Sequence, residues 1–181
     1  LVVGYFRNAQ VPDVEPVVVA PSPQLSKEVI LYFAAADGQS LAAETRTIND
    51  CELDEECLRD TFQALVDGPQ GDLSPILPGQ ASLLGVTVDN SLVTLDFSPE
   101  LVAAHPGGTQ SELLTVYGIA NNMAVNFLPL RQIQLLIEGA PATTIKGHID
   151  LRQPINPDFS LVKESPAPVG KMIDLPAGGD E

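Results

Sequence analysis

One stretch of this chain leaves little freedom of interpretation. Between Pro106-Gly107-Gly108 and Pro129, apolar residues recur at helical spacing: Leu113, Val116, Tyr117, Ala120, Met123, Ala124 and Phe127. A stripe of that kind needs a surface to bury it. Thr109 with Glu112 reads as a capping box at its start, and Pro129 halts it. The flanking segments supply the surface. Leu83 to Val88 and Leu92 to Phe97 read as a hairpin turned by Asp89-Asn90-Ser91. On its second arm Val93, Leu95 and Phe97 point one way, Thr94 and Asp96 the other. Gln132 to Ile137 reads as a buried strand and, after the turn Gly139-Ala140-Pro141, Ala142 to Ile145 as another.

The same alternation of strands and helix occurs upstream. Glu28 to Ala35 is a short apolar strand, Asp37-Gly38 a turn pair, and Leu41 to Ile48 the returning strand. Asp54 to Asp67 is a helix with Asp54 as N-cap, Leu58, Phe62, Leu65 and Val66 on one face, and Gly68-Pro69 as its exit. The order predicts an α+β fold, with two helices packed on one face of a mostly antiparallel or mixed sheet. Residues 28–152 make this domain. Residues 1–27, with Pro12, Pro16, Pro21 and Pro23, read as an extended tether. Residues 153–181, where proline and glycine return, read as a peripheral tail.

Composition narrows the function. Hydrophobic residues make up 44% and charged residues 18%, a globular balance. A formal charge of −15, with nine basic residues spread along the chain, argues against nucleic acid and against adsorption to anionic lipid. No apolar run is long enough to cross a bilayer. The chain begins at Leu1, and LVVGYF reads either as the outer end of a lost anchor or signal segment, or as a cut through a longer chain.

Cys51 and Cys57 lie six residues apart. In one helix they would stand about 9 Å apart along the axis, beyond the roughly 7 Å Cα limit for a disulfide. An N-cap at Asp54 leaves Cys51 outside the helix and makes a bridge possible; two unrelated thiols are the other reading. A bridge would point to an oxidising compartment.

Catalytic chemistry has few footholds. Only His105 and His148 can serve as bases, and neither sits in a triad signature; both read as ordinary loop histidines. No metal-ligand spacing and no cofactor motif is present. The acids of Asp50-Cys51-Glu52-Leu53-Asp54-Glu55-Glu56 raise a calcium question but lack the glycine and distal glutamate of an EF-hand, and acids gather at helix N-termini anyway. Gly107-Gly108 before a helix can cradle an anion, yet no Lys or Arg accompanies them; turning the chain is their simpler use. A carboxylate pair for glycan hydrolysis is defined by distance, not spacing, but the absence of Trp argues against a sugar site.

From Val29 to about Leu151 the sequence resembles the GerMN domain of sporulation and spore germination proteins. "ILYFAAADGQSLAAETRTI" resembles its opening hairpin and "FQALVDGP", with Gly68 and Pro69, its first helix and exit. "LLGVTVDNSLVTLDFSPEL", with Gly85, Asp96, Phe97 and Ser98, resembles its second hairpin. "GGTQSELLTVYGIANNM" carries the Gly107, Gly108 and Glu112 of its long helix, with Asn122-Met123 where the family often has Thr-Leu. "IQLLIEG" and "IKGHIDL", with Gly139 and Gly147, resemble its closing strands. The resemblance implies structural roles for these residues, a fold like a ring-building motif, and no catalytic residues, metal or cofactor. It also implies a scaffold or interaction domain outside the cytoplasm, periplasmic or on the outer face of the inner membrane. Such a domain is held through a lipid or membrane anchor not present in this chain, and its partners are unidentified envelope proteins. The competing expectation is an envelope enzyme or ligand-binding domain acting on cell-wall glycan.

Overall fold

The computed structural model describes residues 26–49, 51, 55–128 and 130–163. Most of the tether, the far part of the tail, Asp54 as N-cap, Pro129 and much of the 50–56 acidic stretch lie outside them. The elements run β1 (Ser26–Ala34), β2 (Leu41–Asn49), α1 (Glu55–Val66), β3 (Leu83–Asp89), β4 (Leu92–Phe97), a short α2 (Glu100–Ala103), α3 (Thr109–Asn126), β5 (Gln132–Ile137) and β6 (Ala140–Pro141). A 3-10 turn, Phe159–Leu161, follows. The fold is α+β, as the pattern predicts.

The strands divide into two sheets. β1 and β2 form an antiparallel pair; β3, β4, β5 and β6 form a mixed sheet in that order, with β4 and β5 parallel. The parallel step follows from α3, which carries the chain from the end of β4 back to the start of β5. α3 lies between the two sheets, against β1 and β5, while α1 lies against β2 and β3. One apolar core results. Phe33, Phe62, Phe97 and Phe127 are all but fully buried within it, and Phe62 and Phe97 meet at 4.9 Å between ring centroids. Burying each such ring contributes about 2 kcal/mol. The alternation on β4 holds, with Val93, Leu95 and Phe97 inside. On α3 the buried face is wider than the expected stripe. Leu114 and Ile119 are buried, whereas Leu113 and Tyr117 are only half-buried, because a helix between two sheets is covered on more than one side.

Ala142 to Ile145 is not a strand. The pairing of β6 ends at Pro141 and Ala142 N makes one last bond to Leu135 O of β5 at 3.0 Å; beyond it the chain winds as a loop, and the N–H groups of Ile145, His148 and Ile149 turn inward to Glu112 of α3. The first part of the expected tail lies against the domain. Ile155 bridges Ile133, Asp158 exchanges two hydrogen bonds with the Asn121 amide, Phe159 stands edge-on to Tyr32, and Val162 bridges Leu41.

Asparagine, a poor residue inside a helix, has a specific use here. The Asn122 amide accepts from Tyr32 N at 2.8 Å and donates to Tyr32 O at 3.1 Å; Asn126 does the same with Ile30, at 2.8 and 2.7 Å. Four residues of helix rise about 6.0 Å and two of strand about 6.8 Å, so amides one turn apart match alternate peptides of β1. Together they act as a surrogate strand.

The cysteines are joined, Cys51 to Cys57, with 5.4 Å between Cα atoms. The bridge ties the connection leaving β2 to the first turn of α1.

Two outcomes follow. Asn122→Leu strands the buried N–H and C=O of Tyr32 and should cost about 3 kcal/mol in urea unfolding, against about 1 kcal/mol for Asn126→Leu at the exposed end. Reducing the disulfide should lower unfolding free energy by about 2 kcal/mol, an effect absent from the double serine variant.

Candidate functional site

A concentration of polar chemistry that includes a histidine forms where α3 begins, although not as a capping box. Gly108 occupies the N-cap position, with φ 88°, and no side chain caps the helix. Thr109 and Glu112 are not reciprocally bonded because Glu112 turns away from its own helix end. Its fully buried carboxylate sits under the 143–149 loop. Oε1 accepts from Thr144 Oγ1 (2.7 Å), Ile145 N (3.1 Å) and Ile149 N (3.2 Å). Oε2 accepts from His148 N (3.1 Å) and His148 Nδ1 (2.9 Å). Burial alone would raise this carboxyl's pKa. Donors from Thr144, His148 and the loop backbone more than offset that and hold it at about 2. Glu112 is therefore ionised, and because a carboxylate only accepts, His148 Nδ1 must carry a proton.

Gly147 makes the wrap possible. Its φ of 95° suits glycine, and its N–H donates to Thr144 Oγ1. His148 stands at the rim of an open hollow of about 330 Å³, with Thr143, Thr144, Asp150 and Arg152. Arg152 is tied to Asp150 by Nε (2.9 Å) and Nη2 (2.6 Å), and the pair holds the Asp150 carboxyl at about 2.

His105 does separate work. It is buried, Nδ1 accepts from Gly107 N at 3.0 Å, and Nε2 is 3.0 Å from Thr115 Oγ1. Thr115 in turn donates to Ile76 O. The relay fixes a neutral ring with its proton on Nε2. Desolvation pushes its pKa down, the nearby Glu112 charge opposing and Lys146 adding to the effect.

The remaining motif residues are spread through the fold. Gly68 takes φ 82° at the exit of α1, beside Pro69, and its carbonyl accepts from Arg46. Gly85 follows a register shift between β3 and β4. Asp96 Oδ1 accepts from Gly139 N at 2.8 Å, tying β4 to the β5–β6 turn, and Ser98 Oγ accepts from Ser82 N at 3.1 Å. Phe97 is core. Among the described residues no three His, Cys, Asp or Glu side chains cluster as a metal site would require. Of the acidic stretch, Glu55 and Glu56 lie exposed in the first turn of α1.

Glu112 and His148, 36 residues apart, are thus brought together, which spacing alone did not reveal. Chemically the pair resembles the acid and base of a triad, since a carboxylate orients the ring. Among the described residues no Ser, Thr, Cys or Tyr side chain bonds to the His148 ring. All five donors on Glu112 come from the chain itself. The arrangement builds a loop and presents a histidine at its surface.

A hairpin-and-helix α+β domain with a carboxylate-stapled loop is the class these features define. The chain belongs to the Germane family, sporulation and spore germination, whose profile matches residues 30–143. Among solved structures it is similar to a candidate lipoprotein of Clostridium perfringens (TM-score 0.52, 23% identity, covering 76% of this chain and 93% of that one). It is also similar to the tandem GerMN domains of the Bacillus subtilis sporulation protein GerM (TM-score 0.56, 13% identity, covering 86% of this chain and 51% of that one). The chain thus spans about half the tandem. These likenesses concern the fold. No curated protein sequence matches.

Stability should report the buried carboxylate. The folded pKa of Glu112 lies below its ordinary 4.5, so its contribution is complete above pH 4.5 and is lost as pH falls toward 2. The depressed His105 adds an earlier loss, beginning as pH drops below 6.5. Glu112→Gln should cost about 3 kcal/mol at pH 7 and remove part of the lower-pH decline while keeping the earlier one. Denaturant titrations from pH 7 to pH 3 check both.

Proposed function

We propose that this is a non-catalytic interaction domain working outside the cytoplasm, in a bacterial cell envelope, where it serves as a scaffold for other envelope proteins. One observation carries the reading: the only acid–histidine pair among the described residues holds its own loop, Glu112 accepting five internal hydrogen bonds. Family membership supports an envelope context, and so does the similar fold of the candidate lipoprotein. The Cys51–Cys57 bridge fits an oxidising compartment. A charge of −15 supports protein partners over nucleic acid. An anchor preceding Leu1 would bring the domain to the membrane.

The competing reading is an enzyme or binding domain for cell-wall glycan. It is favoured by His148 standing oriented beside an open hollow. Two measurements separate the readings. Photo-crosslinking residues placed at exposed Leu84, Leu128 and Phe159 should yield discrete envelope-protein adducts in cells. Purified protein incubated with cell-wall fragments should release no product. Turnover that disappears in His148→Ala would overturn the scaffold reading.

A further inference from the structure

The two flanks of the β1–β2 sheet are treated differently. On β1 the outward peptides from Ile30 to Ala34 are all taken: Ile30 by Asn126, Tyr32 by Asn122, and Ala34 by Ser74, with N–H and C=O both paired. The register places Leu41 opposite Ala34, Ala43 opposite Tyr32, Thr45 opposite Ile30 and Thr47 opposite Glu28. These four therefore turn their peptides outward on β2. Only Leu41 is occupied, its carbonyl accepting from Lys163 N at 2.7 Å beside the parallel bridge to Val162. Among the described residues, no hydrogen bond reaches Ala43, Thr45 or Thr47 from that side.

Proteins usually guard such a flank with lysine, proline or a bulge. Here the exposed side chains are Ala43, Thr45 and Thr47, small and uncharged, and the β1–β2 register is unbroken. A hollow of about 440 Å³ opens where this flank ends, between Thr47–Asn49 and the α1 residues Asp60, Gln63, Ala64 and Asp67. Among the described residues no lysine or arginine lines it. Asp60 receives only a 3.4 Å contact from Asn49, and Asp67 a bond from Gln63. An added strand would end against two carboxylates. A second copy of this chain fits poorly, because it would bring its own charge of −15 and its own Asp60 and Asp67 to the seam.

We propose that the Ala43–Thr47 flank of β2 takes up an extended segment of a partner protein as a third strand, with a lysine or arginine of that segment seated against Asp60 and Asp67. Backbone pairing supplies the attachment and the basic side chain the selectivity. The proposal rests on the interaction-domain reading and names its surface and the partner's chemistry.

The test uses the whole chain and a set of alternating threonine–valine octapeptides, each with one lysine at a successive position. At least one peptide should shift and protect the amides of Ala43, Thr45 and Thr47 in NMR spectra, and its glutamate counterpart should not. Thr45→Pro removes an outward donor without touching the β1 ladder. It should abolish binding while the amide signals of β1 and α3 stay in place. The double variant D60N/D67N should weaken binding roughly tenfold at low salt and match the parent at high salt. Undiminished binding by Thr45→Pro, shifts confined to another face, no binding by any peptide, or self-association through this flank would each overturn the proposal. Failure here alongside discrete adducts in cells removes this surface only; failure of both removes the interaction reading as well.

Discussion

The architecture depends on α3 being bonded, and not merely packed, to β1. A two-stranded hairpin is marginal by itself in water, and β1–β2 shares no ladder with the larger sheet. Asn122 and Asn126 supply what a third strand would have supplied, closing one flank of the hairpin with amide groups while the rest of α3 packs against β5. Asn121, on the neighbouring face, holds the returning 156–162 segment in the same way through Asp158. Three asparagines thus convert one helix into the joint between two sheets and the end of the described chain. Each exchanges a modest helix penalty for paired peptide groups, and at Tyr32 those groups would otherwise be buried without partners.

Glu112 plays the corresponding part at the helix's other end. The 143–149 loop could not be ordered by apolar burial alone, since only Ala142, Ile145 and Leu151 nearby are buried. A single ionised carboxylate provides a common acceptor, and the loop takes its shape from the directions of its donors. The ring is the outermost of the donors, and its orientation is a by-product of satisfying the charge.

Much of the fold was legible in the sequence because it rests on periodicity. The two longer helices, both hairpins and the alternation on β4 follow from spacings of 3.6 and 2, and the Gly-Pro and Gly-Gly punctuation falls where the chain turns, whereas the four-residue α2 is too short to leave a period. Long-range polar pairing has no such signature. Thr109 and Glu112 stand at capping-box spacing, and nothing local shows that the carboxylate is claimed from 32 to 37 residues away. Ala142 to Ile145 looked like a strand because its apolar residues are buried, yet burial in a loop leaves the same trace. Asn122 and Asn126 did leave a signal. Two residues that disfavour helix, one turn apart in an otherwise apolar segment, mark a face with something polar to satisfy.

The asymmetry of the small sheet has a consequence for assembly. A hairpin bonded along one side by amides can be lengthened only from its other side. Strand addition on this sheet would therefore run in one direction, away from α3, and two copies meeting flank to flank would close each other's edge.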